Sequence, residues 1–192
     1  MNKKMKFIKN IKACIAILIV TGAAIFAIYA VYQNNRNLQI STEALIKEGD
    51  ELKNSGNFAE AEIKYEKALT TSKNNINVQK DLGVVYLSQK KYTEAREILQ
   101  KAVDVDSTDT FTLNNLANAY RNSGDNDRAI EYYKLAFEKG NLDSLKNLVT
   151  LLNIKGEFNQ SIDYLNKAIA ANPRDDSLKK ILQSTEYKRD AN

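Results

Sequence analysis

Histidine is absent from the 192 residues, and cysteine and proline occur once each. Without histidine there is no Ser-His or Cys-His dyad and no imidazole metal site. A single cysteine excludes an internal disulfide and a thiolate zinc cluster. The sequence therefore implies no cofactor, no metal and no catalytic residues, and it points away from an enzyme. The length leaves room for one modest domain plus an appendage.

Acidic residues are missing from residues 1–32, which hold Lys3, Lys4, Lys6, Lys9 and Lys12. The formal net charge is +4. It belongs to that segment, because the other 23 basic groups face all 24 acidic ones. A near-neutral body lacks the basic face with which a general nucleic-acid binder displaces counterions from phosphate, so no nucleic-acid partner is expected.

What the N-terminus does have is an apolar run. From Ala13 to Tyr32 the only ordinary polar side chain is Thr21. As a helix, twenty residues reach roughly 30 Å, the thickness of a bilayer core. The expected organisation is a basic cytoplasmic N-terminus at 1–12, one transmembrane helix at 13–32 and a polar linker at 33–41. Tyr29 and Tyr32 fall near the far end, where aromatic rings favour an interface. Five preceding lysines, against Arg36 and Lys47 just after the run, predict a single-pass protein of the cell membrane with its body outside the cytoplasm. The competing reading is a cleaved signal and a secreted protein. Against it stand the length of the apolar core and the lack of an Ala-x-Ala site at Ala27 to Tyr32.

After the linker, amphipathic stretches of about a dozen residues alternate with glycine- or asparagine-rich breaks, and nothing alternates as a strand. A period emerges on self-alignment. Gly49, Gly83 and Ala117 are each 34 residues apart. Ala61, Ala95 and Ala129 follow, then Tyr65, Leu99 and Tyr133, then Ala68, Ala102 and Ala136. A fourth copy, Val149, Ser161, Leu165 and Ala168, arrives two residues early through a shorter connection at Lys139 to Asn141. Small residues let two helices approach, while Leu82, Leu116 and Leu148 with Tyr86, Tyr120 and Leu152 fill the seam. Gly56, Gly124 and Gly156 mark the end of each first helix, where positive φ is cheap for glycine. Lys90 takes that place in the second copy.

These residues resemble the tetratricopeptide-repeat family. The third copy is the nearest match, with Asn114-Asn115-Leu116-Ala117-Asn118-Ala119-Tyr120, Gly124-Asp125 and Arg128-Ala129-Ile130-Glu131-Tyr132-Tyr133. Asp81-Leu82-Gly83, Tyr92-Thr93-Glu94-Ala95 and Lys167-Ala168-Ile169 with Asn172-Pro173 support the other copies. Leu45, Gln79, Leu113 and Leu145 depart from the large aromatic usual near the start of the first helix. The resemblance implies an all-α solenoid of helix-turn-helix repeats at 42–75, 76–109, 110–141 and 142–174, with a capping helix and tail at 175–192. Asp176 or Ser177 is expected to cap that helix, with Leu178, Ile181 and Leu182 covering the last repeat.

The family's concave face, made by the first helices, is its usual binding surface. On that frame it carries Glu43, Ile46 and Asp50, then Lys80, Val84 and Leu87, then Phe111, Asn114, Asn118 and Arg121, then Lys146, Thr150 and Asn153. The asparagines are expected to pair with the backbone of an extended peptide. Lys80, Arg121 and Lys146 would hold a carboxylate. A chaperone-type carboxylate clamp is not expected. Starting from Lys80, Asn115 fits its pattern, but Val84 replaces an asparagine and Asp143 a lysine.

The layout resembles membrane-anchored bacterial scaffolds or adaptors of protein export or envelope assembly that bind a protein or peptide partner. Two further readings remain: a cytosol-facing organellar receptor, and a hydrolase using carboxylates such as Glu60 with Glu62 or Asp125 with Asp127. The latter sit at turns or exposed faces, where a shifted pKa is hard to sustain.

Overall fold

The computed structural model describes the backbone of residues 3–191 and the side chains of residues 19–191. Its described residues contain α-helices only: α1 (Lys3–Asn54), α2 (Phe58–Thr71), α3 (Ile76–Ser88), α4 (Tyr92–Val105), α5 (Thr110–Asn122), α6 (Asn126–Glu138), α7 (Leu142–Ile154), α8 (Phe158–Ala171) and α9 (Asp176–Asp190). They divide into two units, Met1–Leu45 and Ile46–Asn192.

In the first unit, the expected membrane span is corrected. Among the described residues no helix is long and apolar enough to cross a membrane. The apolar run gives way after Tyr32 to Gln33-Asn34-Asn35-Arg36-Asn37 within the same helix. The side chains of residues 13–18 of that expectation lie outside the described ones, as do the five lysines. The expected single-pass placement in the cell membrane falls with the span on which it rested. The stretch 33–41, read as a linker, is helical. Gln33 to Glu48 contains neither glycine nor proline, so nothing in it stops a helix.

The second unit is built on the period. In each second helix a small residue, a bulky one and another small one share a face at i, i+4 and i+7. Ala61, Tyr65 and Ala68 in α2, Ala95, Leu99 and Ala102 in α4, and Ala129, Tyr133 and Ala136 in α6 are all fully buried. Each such bulky side chain contributes about 1.5–3 kcal/mol on burial. The first helices make room for it. A Cβ at Gly49 would sit 2.8 Å from the Tyr65 ring, and one at Gly83 would overlap Leu99. The fourth repeat trades sizes, with Val149 in the first helix and buried Ser161 opposite, its hydroxyl 3.5 Å from the Val149 carbonyl.

Turn chemistry repeats with the same period. Gly56, Gly124 and Gly156 have φ of 81, 89 and 78°, and Lys90 has 62°. At each, paired backbone bonds close the helix end, as Lys91 N–H to the Tyr86 carbonyl (2.8 Å) and Lys90 N–H to that of Leu87 (3.0 Å). The first helices then start on Asn75, Asp109, Asn141 and Asp175, whose side chains accept backbone N–H groups of the first turn. The cap of α9 is thus Asp175 rather than Asp176 or Ser177. Leu178 is buried with Leu145, Val149, Leu165 and Ala168, and Ile181 and Leu182 pack against this cluster, so α9 covers the last repeat as expected.

Candidate protein-interaction face

Residues 80, 84 and 87, then 111, 114, 118 and 121, then 146, 150 and 153 each share one face of α3, α5 and α7 by helical spacing. On each of these first helices the expected residues therefore share one face. What distinguishes them is how many are already engaged.

Lys80 forms an ion pair with Asp109, the residue that caps α5 through the N–H groups of Phe111 (3.0 Å) and Thr112 (3.5 Å). Burial pushes the Asp109 carboxyl up, but the Lys80 ammonium, the Thr112 hydroxyl and the Phe111 N–H outweigh it and hold it below its ordinary range. Lys53 of α1 bridges to Asp81 of α3 at a different register. Asn114 Oδ1 accepts from the Ser144 hydroxyl at 2.9 Å, and Arg121 reaches Asn147 Oδ1 at 3.5 Å. Asn118 Oδ1 accepts from the buried Tyr133 hydroxyl at 2.5 Å. Asn153 Nδ2 donates to Thr185 Oγ1 at 3.1 Å.

Most of these bonds cross from one first helix to the next. They form a ladder from α1 through α3, α5 and α7 to α9, with each repeat tied to its neighbours. The sequence named Lys80, Asn114, Arg121 and Asn153; their partners Asp109, Ser144, Asn147 and Thr185, 26 to 32 residues further on, were missed, as were both members of the Lys53–Asp81 rung. Outside the ladder stand Phe111, 72% exposed, half-buried Val84, and exposed Thr150 and Lys146. Thr150 donates to the Lys146 carbonyl at 2.8 Å, and Lys146 lies 3.9 Å from Asp143.

Beside Lys146 and Thr150 a cleft of about 540 Å³ opens between α7 and α9. Val149, Ile154, Phe158 and Ile181 supply apolar walls, Thr150, Asn153, Ser184 and Thr185 polar groups, and Lys146, Lys180 and Lys188 positive charge. No acidic side chain lines it. The contribution of α9 was legible and overlooked: Lys180, Ser184 and Lys188 lie 34 residues beyond Lys146, Thr150 and Ile154, so the terminal helix repeats the register of a first helix.

Three of the four carboxylates weighed as acid-base pairs have structural partners. Glu62 accepts from Lys91 (2.6 Å) and Gln89 (2.8 Å), Asp125 caps α6 through the Arg128 N–H (3.2 Å), and Asp127 pairs with Lys155 (2.7 Å). Among the described residues, no group of three or more acidic or thiol side chains is placed to hold a metal ion.

Tetratricopeptide-repeat family models match residues 75–139 and 114–176, together more than half of the chain. No curated protein matches the sequence. Among solved structures, the crystal structure of MamA protein is similar over 79% of this chain and 85% of its own, at 23% identity and a TM-score of 0.68. The first tetratricopeptide domain of Spaghetti (RPAP3), bound to the HSP90 peptide SRMEEVD, aligns with 59% of this chain and 92% of its own, at 18% identity and a TM-score of 0.57. The Sgt2 tetratricopeptide domain from Aspergillus fumigatus aligns with 62% and 82%, at 21% identity and a TM-score of 0.56. At these identities the likeness concerns the fold. Period, turn chemistry, family models and structural neighbours agree that this chain carries a tetratricopeptide-repeat solenoid.

Proposed function

We propose that the chain is a non-enzymatic interaction module that takes an extended segment of a partner protein on the face of its first helices. The observation that carries this reading is the cleft between α7 and α9, open on the face that the rest of the ladder ties together. A rigid frame lowers the ordering cost of binding, so modest contacts in a cleft suffice. Lys80, Asn114, Asn118, Arg121 and Asn153 belong to the frame in this reading. Contact falls to Val84, Phe111, Lys146 and Thr150. The domain of Spaghetti with its bound HSP90 peptide is a precedent for a peptide held by this fold.

Photo-crosslinkers at Phe111 and Thr150, compared with crosslinkers at Ile63 and Val105 on the second helices, test the reading. Ile63 and Val105 are exposed to a similar degree as Phe111. Partner capture confined to positions 111 and 150 is expected. Capture from 63 or 105 with equal yield would place the interaction elsewhere and overturn the proposal.

A further inference from the structure

We infer that the cleft between α7 and α9 selects an extended segment in which two acidic residues flank an apolar one with single-residue gaps, acid-x-apolar-x-acid. The inference rests on the proposed peptide-binding face and adds the chemistry of its partner.

The charge pattern comes first. Three lysines line the cleft with no carboxylate among its walls, in a body whose basic and acidic groups taken together nearly balance. Lys146 interacts electrostatically with Asp175 and lies 3.9 Å from Asp143, the Lys146 and Asp143 side chains both being largely exposed. Such a pair holds its lysine weakly, so an incoming carboxylate displaces little.

Spacing comes from the shared register. Lys146 and Lys180 occupy equivalent positions on α7 and α9, as do Ile154 and Lys188. Eight residues of helix separate the two levels, about 12 Å at 1.5 Å per residue. The cleft therefore has two lysines at one end and one at the other, with Val149, Phe158 and Ile181 among its apolar walls. An extended chain rises about 3.3 Å per residue and shows alternate side chains on one face. Residues i and i+4 then lie about 13 Å apart, matching the lysine levels, and i+2 points between them at the apolar wall. Such a segment needs no chain terminus, which separates it from recognition of a free terminal carboxylate.

The test uses the full chain and a dye-labelled peptide, Gly-Glu-Ala-Leu-Ala-Glu-Gly, blocked at both ends, with binding read by fluorescence anisotropy. Its permutation Gly-Glu-Glu-Leu-Ala-Ala-Gly controls for composition. Binding that weakens about tenfold in Lys146→Glu and in Lys188→Glu, weakens with added salt, and is at least fivefold poorer for the permuted peptide is expected. Both lysines are exposed, and an unchanged thermal midpoint verifies that the variants fold. Equal binding of the two peptides, wild-type affinity in the charge-reversed variants, or no binding at about 1 mM peptide would overturn the inference. If the labelled peptide instead crosslinks at Val84 and Phe111 and not at Thr150, the broader reading stands and this one falls.

Discussion

Tyr133 donates its hydroxyl to Asn118 Oδ1 across 2.5 Å, and the 15 residues between them recur between Tyr65 and its acceptor Asp50 at 2.6 Å. In the second repeat the bulky residue is Leu99, which has no hydroxyl, and the residue 15 earlier is Val84, which has no acceptor. The fourth repeat pairs Leu165 with Thr150, whose own hydroxyl turns to a backbone carbonyl. The identity of this groove position follows the side chain buried beneath it. The valine that spoils a carboxylate clamp is there because Leu99 needs no partner. Asn118→Val, which copies the second repeat, is expected to cost about 1–3 kcal/mol by leaving the Tyr133 hydroxyl unpaired. Tyr133→Phe in the same chain should recover most of it. Urea unfolding of the two single variants and the double variant measures the coupling, and additive losses would refute the pairing.

The same tyrosines set an alkaline limit. Burial pushes the Tyr133 hydroxyl up to about 12. Burial also raises Tyr65, helped by its hydrogen bond to Asp50, and Tyr86, helped by its bond to Glu66. An unfolded tyrosine loses its proton near pH 10, so above that the unfolded chain binds fewer protons than the folded one, and stability falls as pH rises. The contribution of Tyr133 is complete below about pH 10 and is lost progressively toward about pH 12. Urea midpoints should be flat up to about pH 9 and then drop, with a slope on the order of 1 kcal/mol per pH unit for each buried tyrosine. Tyr133→Phe should make the drop shallower. Phenolate absorbance is expected to accompany unfolding; if it precedes unfolding, these hydroxyls are not protected.

The repeat core and the turn glycines were readable because each rests on a residue type with one packing or backbone role, repeated at a fixed interval. Ala95 and Leu99 are legible against Ala129 and Tyr133 even where the residues differ. The binding face was harder. Lys80 and Asn114 have side chains suited equally to a ligand and to a neighbouring helix, and their engagement by Asp109 and Ser144 is not written in residue type. Hydrophobicity misled at the N-terminus, where the residues after Tyr32 are polar but contain no helix breaker, so composition changed without a change in backbone. The expected cap of α9, Asp176 or Ser177, falls one or two residues late because Asp175, Asp176 and Ser177 are all good caps. Only the first accepts the N–H groups of Ser177 and Leu178, at 2.9 and 3.2 Å.

Lys90 occupies a left-handed position that the equivalent turns give to Gly56, Gly124 and Gly156. A side chain there costs about 1–2 kcal/mol because Cβ approaches the following carbonyl. Lys90 is exposed, and no ion pair holds it among those of the described residues. Lys90→Gly should therefore stabilise the chain by roughly 1 kcal/mol, part of the strain being offset by the greater freedom of glycine in the unfolded state. Gly124→Ala should destabilise it by a similar amount, since φ is 89° there and a Cβ would meet no neighbour. Opposite signs in paired thermal or urea unfolding are the outcome to look for. A loss of stability in Lys90→Gly would mean that the lysine has a role outweighing its backbone strain.

Gly83 has a different reason to be glycine. It lies within α3, where alanine is the better helix former by about 1 kcal/mol. Yet a Cβ at this position would overlap the fully buried Leu99 side chain. Overpacking of a core typically costs about 1–3 kcal/mol, so Gly83→Ala should be destabilising by roughly 1 kcal/mol after the helix preference is counted. The third repeat holds Ala117 at the same register with Tyr133 as its buried counterpart, whereas the first keeps glycine opposite a tyrosine, a Cβ at Gly49 coming within 2.8 Å of the Tyr65 ring. Gly83→Ala combined with Leu99→Tyr reproduces the pair of the third repeat, and Val84→Asn would add the acceptor the new hydroxyl needs. The triple variant should be more stable than Leu99→Tyr alone, whose ring meets no acceptor at Val84. Non-additivity of at least 1 kcal/mol across these three sites is expected because they form one packing unit. If the three changes instead act independently, the size and polarity of each seam are not set pair by pair, and the coupling between groove position and buried residue fails in the second repeat.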